Sequence, residues 1–214
     1  VRSPYRQLAD AFLLSLGPLT ASGQLGLDVG CVHERGRWDP GAGDWYGLDI
    51  EPSPGRFVLR GSAETIPWPT ETFDIVKATD VLYFLPDLEV GLRECARVAR
   101  PSGRLVVTLP FVRPHGESPR LNPKYYDRWR VTAWGLRELA TAAGWQIDRL
   151  EALGGPLTCL LQIVYDQTYP HRRAAVLSRL TRWTSRWDAK RRPLDAGRFH
   201  GWTLGFGVVG RKTS

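Results

Sequence analysis

Four apolar runs in this sequence each end in residues able to hold a small polar ligand. Leu25 to Val29 leads into Gly30 and Cys31, and a glycine there lets the main chain approach a bound molecule closely. The run "WYGLDI" at 45–50 carries Asp49, 21 positions after Asp28. An acid about 20 residues beyond the first turn of an α/β unit can accept hydrogen bonds from a ribose diol. After a third run comes "GSAETIPW" at 61–68, whose small polar residues suit the edge of an adenine. A fourth, "FDIVKATD" at 73–80, delivers Thr79 and Asp80. Singly these features say little, because a glycine after a strand is most often a turn and an acid there is often a cap or solvated. Their order along the chain is what carries weight.

The elements that would position them are short strands alternating with helices. Strands are expected at 25–30, 45–50, 56–61, 73–80, 104–111, 145–153 and 199–211, and helices at 4–16, 88–100 and 132–144. Thr132 suits an N-cap and Gly144 a C-terminal stop. Residues 156–192 read as two helical pieces parted near Tyr169-Pro170. The expected fold is therefore α/β, a seven-stranded, mostly parallel, Rossmann-like sheet flanked by helices, with a helical insertion before the last strand. In such sheets the ligand lies beyond the carboxyl ends of the strands. The 214 residues suit one domain, divided as an N-terminal helix (1–20), a cofactor-binding core (21–154), a helical insertion (155–196) and a closing strand (197–214).

Three widely spaced cysteines form neither a disulfide framework nor a zinc pattern. No His, Asp or Glu cluster has metal-ligand spacing, so no metal is expected. No run approaches 18 apolar residues and the start lacks a signal-peptide layout, so a soluble cytoplasmic protein is expected. No G-x-S-x-G elbow occurs, which removes a serine hydrolase of that type.

The succession "LDVGC", "YGLDI", "GSAETIPWPTETFDIV" and "LRECARVARPSGRLVVTLPF" resembles the class I S-adenosylmethionine-dependent methyltransferases, in the form of the methyltransferase-11 group. The resemblance covers roughly residues 25–146. The stretch from "PHGESPR" to "AAGW" is similar to a subgroup often linked to sugar, glycan or secondary-metabolite methylation. The resemblance implies S-adenosylmethionine as cofactor. It places Gly30 and Cys31 at the methionine end, Asp49 on the ribose hydroxyls, Ile50 against the adenine, and Ser62, Ala63 and Glu64 around that ring. Thr79 and Asp80 fall near the methionine side, and Asp28 organises the loop or reaches the amino group through water. The implied activity is methyl transfer, with oxygen of a small, sugar-containing or secondary metabolite as the expected acceptor.

One departure concerns the glycine loop, where Val32 and Glu34 replace two of the family's glycines. A sulfonium cofactor has no pyrophosphate to cradle, so one close approach at Gly30 suffices, whereas a dinucleotide wants the full set. The loss leaves two alternatives to be weighed against methyl transfer: a degenerate protein that binds cofactor or partner without catalysis, and a dinucleotide oxidoreductase. The catalytic candidates are Asp80 and His115, the latter as base because an unperturbed imidazole titrates at about 6.5. Tyr125, Tyr126, Trp129 and Arg130 are candidates for the acceptor side, although Trp129 and Arg130 also stand where they could simply anchor the loop.

The net charge of +7 is local. Residues 171–192 hold eight Arg or Lys against one acid, while the rest balances at 21 of each. Val176, Leu180, Trp183 and Trp187 recur at helical spacing among the arginines. Such a helix suits peripheral contact with an anionic membrane, a phosphate-bearing substrate, or an apolar stripe packed on the sheet or a second subunit in a homodimer. The packed stripe is the simplest expectation, and no nucleic acid is expected as a partner.

Overall fold

In the computed structural model the described residues are 2–31, 42–51, 57–113, 126–168, 173–191 and 202–213. Seven strands form one sheet: β1 (Leu25–Val29), β2 (Asp44–Asp49), β3 (Val58–Arg60), β4 (Phe73–Thr79), β5 (Ala99–Pro110), β6 (Trp145–Leu153) and β7 (Gly205–Lys212). Their order is β3-β2-β1-β4-β5-β7-β6. All neighbours pair in parallel except β7, which runs antiparallel between β5 and β6. The strand order reverses between β1 and β4, so their carboxyl ends open the crevice in which α/β sheets bind ligands.

Apolar residues alternate between the two faces of the sheet. One face carries Leu27, Val29, Leu48, Val76, Ala78, Leu105 and Val107, and packs in one cluster with α2 (Leu88–Val98) and α3 (Ala133–Ala142). The Trp145 indole, fully buried, donates to the Leu92 carbonyl at 3.0 Å and ties β6 to α2. The other face carries Ile75, Val106 and Val209, which cluster with Tyr5, Ala9, Phe12 and Leu13 of α1 (Pro4–Ser15). Phe12 lies flat on Gly207, where a Cβ would come within 2.7 Å of its ring.

Most expected elements stand where the pattern placed them. Helix α2 ends at Val98 and β5 begins at Ala99, ahead of Pro101 and Gly103, rather than a helix running to 100 and a strand starting at 104. Pairing explains the early start, because Ala99 lies opposite Phe73 beyond a bulge in the β4–β5 ladder. A short 3-10 turn at Leu82–Phe84 was not expected; it follows Asp80, whose φ is +56°. The closing strand begins at Gly205 rather than 199.

The insertion forms α4 (Pro156–Thr168) and α5 (Arg173–Arg191). The Asp188 carboxylate accepts from the Leu157 and Thr158 amides at 3.2 and 3.0 Å, and from the Thr158 hydroxyl. It thereby satisfies orphan amides and sits at the positive end of the α4 dipole. This grip sets the rotation of α5. Thr181, Thr184 and Asp188 turn inward and are buried, while Val176, Leu180, Trp183 and Trp187 are 58%, 44%, 62% and 36% exposed. The apolar stripe therefore does not pack on the sheet, the first of the two placements expected for it.

At the centre of the sheet Lys77 of β4, 1% exposed, sits opposite Asp28 of β1, with Nζ 2.8 Å from Oδ2. Removing one partner of a buried ion pair strands the other charge and costs about 3–5 kcal/mol. Urea unfolding of Lys77→Ala is expected to show a loss of that size. Replacing both residues with apolar ones of similar volume, Lys77→Met with Asp28→Leu, should recover most of it. An unaltered midpoint in the single variant would show that the pair does not hold the strands.

Candidate cofactor and active site

The residues singled out in the sequence gather along the carboxyl edge of β1, β2 and β4. Gly30 has φ +78°, and a Cβ there would lie 2.6 Å from Val81 Cβ. Its amide donates to the Leu48 carbonyl at 2.7 Å, and the Cys31 amide shares that oxygen at 3.2 Å. Only glycine satisfies both the conformation and the space left beside Val81. Val32, Glu34 and the rest of that loop lie outside the described residues.

Asp49 ends the adjacent strand. Its Oδ1 accepts from the Glu51 amide at 2.8 Å, a turn that fixes the carboxylate at the strand end, half-buried. Ile50 is also half-buried, and its carbonyl accepts from Arg60 Nε at 3.0 Å. The 62–68 loop is clamped by α2. Glu94 accepts from the Ile66 amide at 2.8 Å, and Arg97 donates to the Ile66 and Trp68 carbonyls at 2.7 and 2.8 Å. The hydrogen bonds from Arg97 hold the Glu94 carboxyl below its ordinary range. The clamp holds Ser62 half-buried and turns the Ala63 methyl into the core, while the Glu64 amide donates to Ser62 Oγ at 3.1 Å.

Asp28 lies one level below the loop. Burial pushes its carboxyl above the ordinary range, opposed by the charge of Lys77 and by hydrogen bonds from Lys77 and the Cys31 thiol. The pair thus sits under Gly30 and Cys31. Thr79 ends β4 half-buried, opposite Thr108.

Asp80 is the centre of a network that the sequence did not disclose. Its Oδ1 accepts from the Tyr5 hydroxyl and from Thr108 Oγ1, the latter at 2.9 Å, and Arg6 Nη1 lies 2.9 Å from Oδ2. Tyr5 and Arg6 open α1, 75 residues away in sequence from Asp80. No local pattern marks them; only the folded chain lays α1 across the end of β4. Lys77 did leave a signal, as the one charge inside the apolar run "IVKA", which demands a buried partner.

Around the residues expected to face the acceptor, Arg113 Nη1 donates to the Tyr83 hydroxyl at 3.1 Å. Arg130 pairs bidentately with Asp127, and Trp129 Nε1 donates to the Leu85 carbonyl at 2.9 Å. These bonds seat the 126–131 strap on the 3-10 turn. Tyr126 is exposed and stacks with Arg128. His115 and Tyr125 lie outside the described residues.

With this geometry in place, residues 27–107 match the family model of a methyltransferase domain, methyltransferase-11. An S-adenosylmethionine-dependent methyltransferase from Mesorhizobium loti superposes with a TM-score of 0.58 at 16% identity, over 98% of each chain. Residues 27–107 are thus similar to a methyltransferase-11 domain, and the chain shares the fold of S-adenosylmethionine-dependent methyltransferases. It is 36% identical over 91 residues to the ubiquinone/menaquinone biosynthesis C-methyltransferase UbiE of Hahella chejuensis, covering 42% of this chain and 32% of that protein. The chain spans between a quarter and just over half of the length of the curated relatives it matches, 32%, 38% and 37% for three of them. The [4+2]-cyclase SpnF shares the fold, with a TM-score of 0.58 and 18% identity over 97% of this chain and 80% of that one.

A methyltransferase-11 domain implies S-adenosylmethionine as cofactor, and the residues present fit it. Gly30 ends β1 without a side chain, packed too closely on Val81 to carry one, and Asp49 presents a carboxylate at the next strand end.

Two tyrosines beside Asp80 give a measurable signature. Burial, then the charge of Asp80, raises the Tyr5 phenol well above 10.0. Burial pushes Tyr83 up to about 12, opposed by Arg113. Both folded values lie above the unfolded one, so their contribution to stability is whole below pH 10 and is lost as pH rises toward 12. Urea midpoints across that range should fall more steeply for the parent than for Tyr5→Phe. An ultraviolet titration in which all seven tyrosines ionise together near pH 10 would contradict this placement.

Proposed function

We propose that this protein transfers a methyl group from S-adenosylmethionine to an oxygen of a small metabolite, of the sugar-containing or secondary-metabolite type. The observation that carries the reading is the adjacency of bare Gly30 and Asp49 at neighbouring strand ends, with the Tyr5–Asp80–Arg6 network closing the third side. In this reading Asp49 accepts from the ribose hydroxyls, and the main chain of Gly30 and Cys31 faces the amino-acid tail. Ile50, Ser62 and Ala63 border the adenine, with Glu64 behind them. Asp80, already holding Tyr5, Thr108 and Arg6, acts as a fixed anion that shapes the methionine end, so proton removal falls to the 114–125 loop and its candidate base His115.

The bound cofactor supplies an electrophilic methyl on a sulfonium, and displacement needs the acceptor oxygen close to it and in line. The protein's part is to position that oxygen and keep water out. Tyr83 with Arg113, and the strap seated by Trp129 and by the Arg130–Asp127 pair, wall the acceptor side. The relative from Hahella is named a C-methyltransferase and SpnF a cyclase. Fold alone therefore does not choose the reaction, and the methylated atom has to be read from product.

Calorimetric titration with S-adenosylhomocysteine and with NAD tests the cofactor. Binding of the thioether and not of the dinucleotide is expected, and the reverse would overturn the reading. Asp49→Ala should weaken thioether binding by about ten-fold or more, since a hydrogen bond to a charged group is worth about 1.5–3 kcal/mol. An unchanged dissociation constant would remove Asp49 from the site. Thioether binding with no methylated product from any sugar or metabolite hydroxyl would favour a cofactor-binding protein without transfer.

A further inference from the structure

The outward sides of α4 and α5 combine exposed apolar side chains with arginines. On α5, Val176, Leu180 and Trp183 are exposed, and Arg179, Arg182 and Arg186 stand exposed among them. On α4, Leu160, Ile163 and Val164 are 61%, 48% and 49% exposed. The acids of the hairpin do not answer the arginines. Asp188 is turned inward onto the α4 amides, and Asp166 accepts from the Gln162 amide nitrogen at 2.8 Å. The face is thus aliphatic and aromatic, interleaved with cations, and among the described residues its one partly exposed acid, Asp166, is held by Gln162.

We propose that this face docks the protein on an anionic lipid surface. Aliphatic and tryptophan side chains enter the boundary between headgroups and acyl chains, and arginines beside them reach the lipid phosphates. The contact is peripheral, because no described helix is long and apolar enough to cross a membrane. A second copy of the same face is a poorer occupant, since it would set arginines against arginines while Asp166 is already held by Gln162. A nucleic acid would satisfy the cations and leave Leu160, Ile163, Val164 and Val176 in water. Position adds to the case. Gln162 of α4 accepts from the Tyr5 amide at 2.9 Å, so the hairpin abuts the helix that closes the proposed site. Docking there would hold the crevice close to the lipid, where an amphipathic acceptor partitions.

The test is sedimentation of the whole protein with vesicles of phosphatidylcholine alone and with about a third phosphatidylglycerol. Pelleting with the anionic vesicles is expected, with a blue shift in tryptophan emission that Trp183→Ala diminishes. Reversing Arg179, Arg182 and Arg186 to Glu should weaken partitioning by more than about 100-fold, since loss of the three positive charges alone is worth that at about a factor of five per charge. Leu180→Ser with Ile163→Ser should weaken it without changing the net charge. Unchanged S-adenosylhomocysteine binding in these variants shows that they fold, independently of whether methyl transfer is the reaction. Equal pelleting with neutral and anionic vesicles, or none with either, overturns the proposal. So does a stable dimer that the charge reversals dissociate, or an equal salt-sensitive affinity for duplex DNA.

Discussion

The Lys77–Asp28 pair is the constraint on which the rest of the site depends. Two opposite charges are buried side by side in the middle of a parallel ladder, where desolvation is severe and only close pairing offsets it. The pair fixes register. Sliding β4 by one residue against β1 would turn Lys77 to the other face, into the cluster around Leu27, Val76 and Leu105. With Asp28 opposite Lys77, Val29 falls opposite Ala78. Gly30 and Asp80 then emerge from neighbouring strands at a set offset. Trp45 completes the arrangement. Its ring lies where a Cβ on Gly26 would fall, 2.5 Å away, and its centroid is 5.5 Å from Lys77 Nζ. A glycine one level below the charge pair thus lets an indole cover a buried ammonium.

Above this pair the site is assembled from distant parts. The glycine loop comes from β1, the proposed ribose acid from β2, and the proposed adenine loop is held by a Glu94–Arg97 clamp from α2. The proposed methionine end is closed by the first turn of α1 through Tyr5 and Arg6. Helix α1 is itself braced by α4, where Gln162 takes the Tyr5 amide and Gln7 reaches Thr181 of α5 at 3.3 Å. One continuous set of contacts therefore joins the outward hairpin to the proposed catalytic crevice.

Much of this was legible in the sequence, for identifiable reasons. Buried parallel strands are short apolar runs, so β1, β4 and the centre of β5 announce themselves, and Thr132 and Gly144 bracket α3 as caps and stops do. Gly30 and Asp49 stand out because each ends such a run. Features held by long-range pairing were not legible. Ala99 joins β5 because Phe73 lies opposite it, and nothing local says so. Tyr5 and Arg6 meet Asp80 only through the packing of α1 on the sheet. Lys77 was legible in principle, as a charge in an apolar strand, but its partner was not. In α5 the apolar period suggested an inward stripe. The cap made by Asp188 fixed the opposite rotation, because satisfying buried amides outweighed burying a mixed Trp and Arg face.

The most direct measurement is a crystal structure of the protein grown with S-adenosylhomocysteine. The account predicts density over Gly30, both ribose hydroxyls on Asp49, the amino-acid tail beside Tyr5 and Asp80, and the Lys77–Asp28 contact intact beneath it. A ligand bound elsewhere on the molecule, or an Asp49 turned away from the ribose, would contradict it.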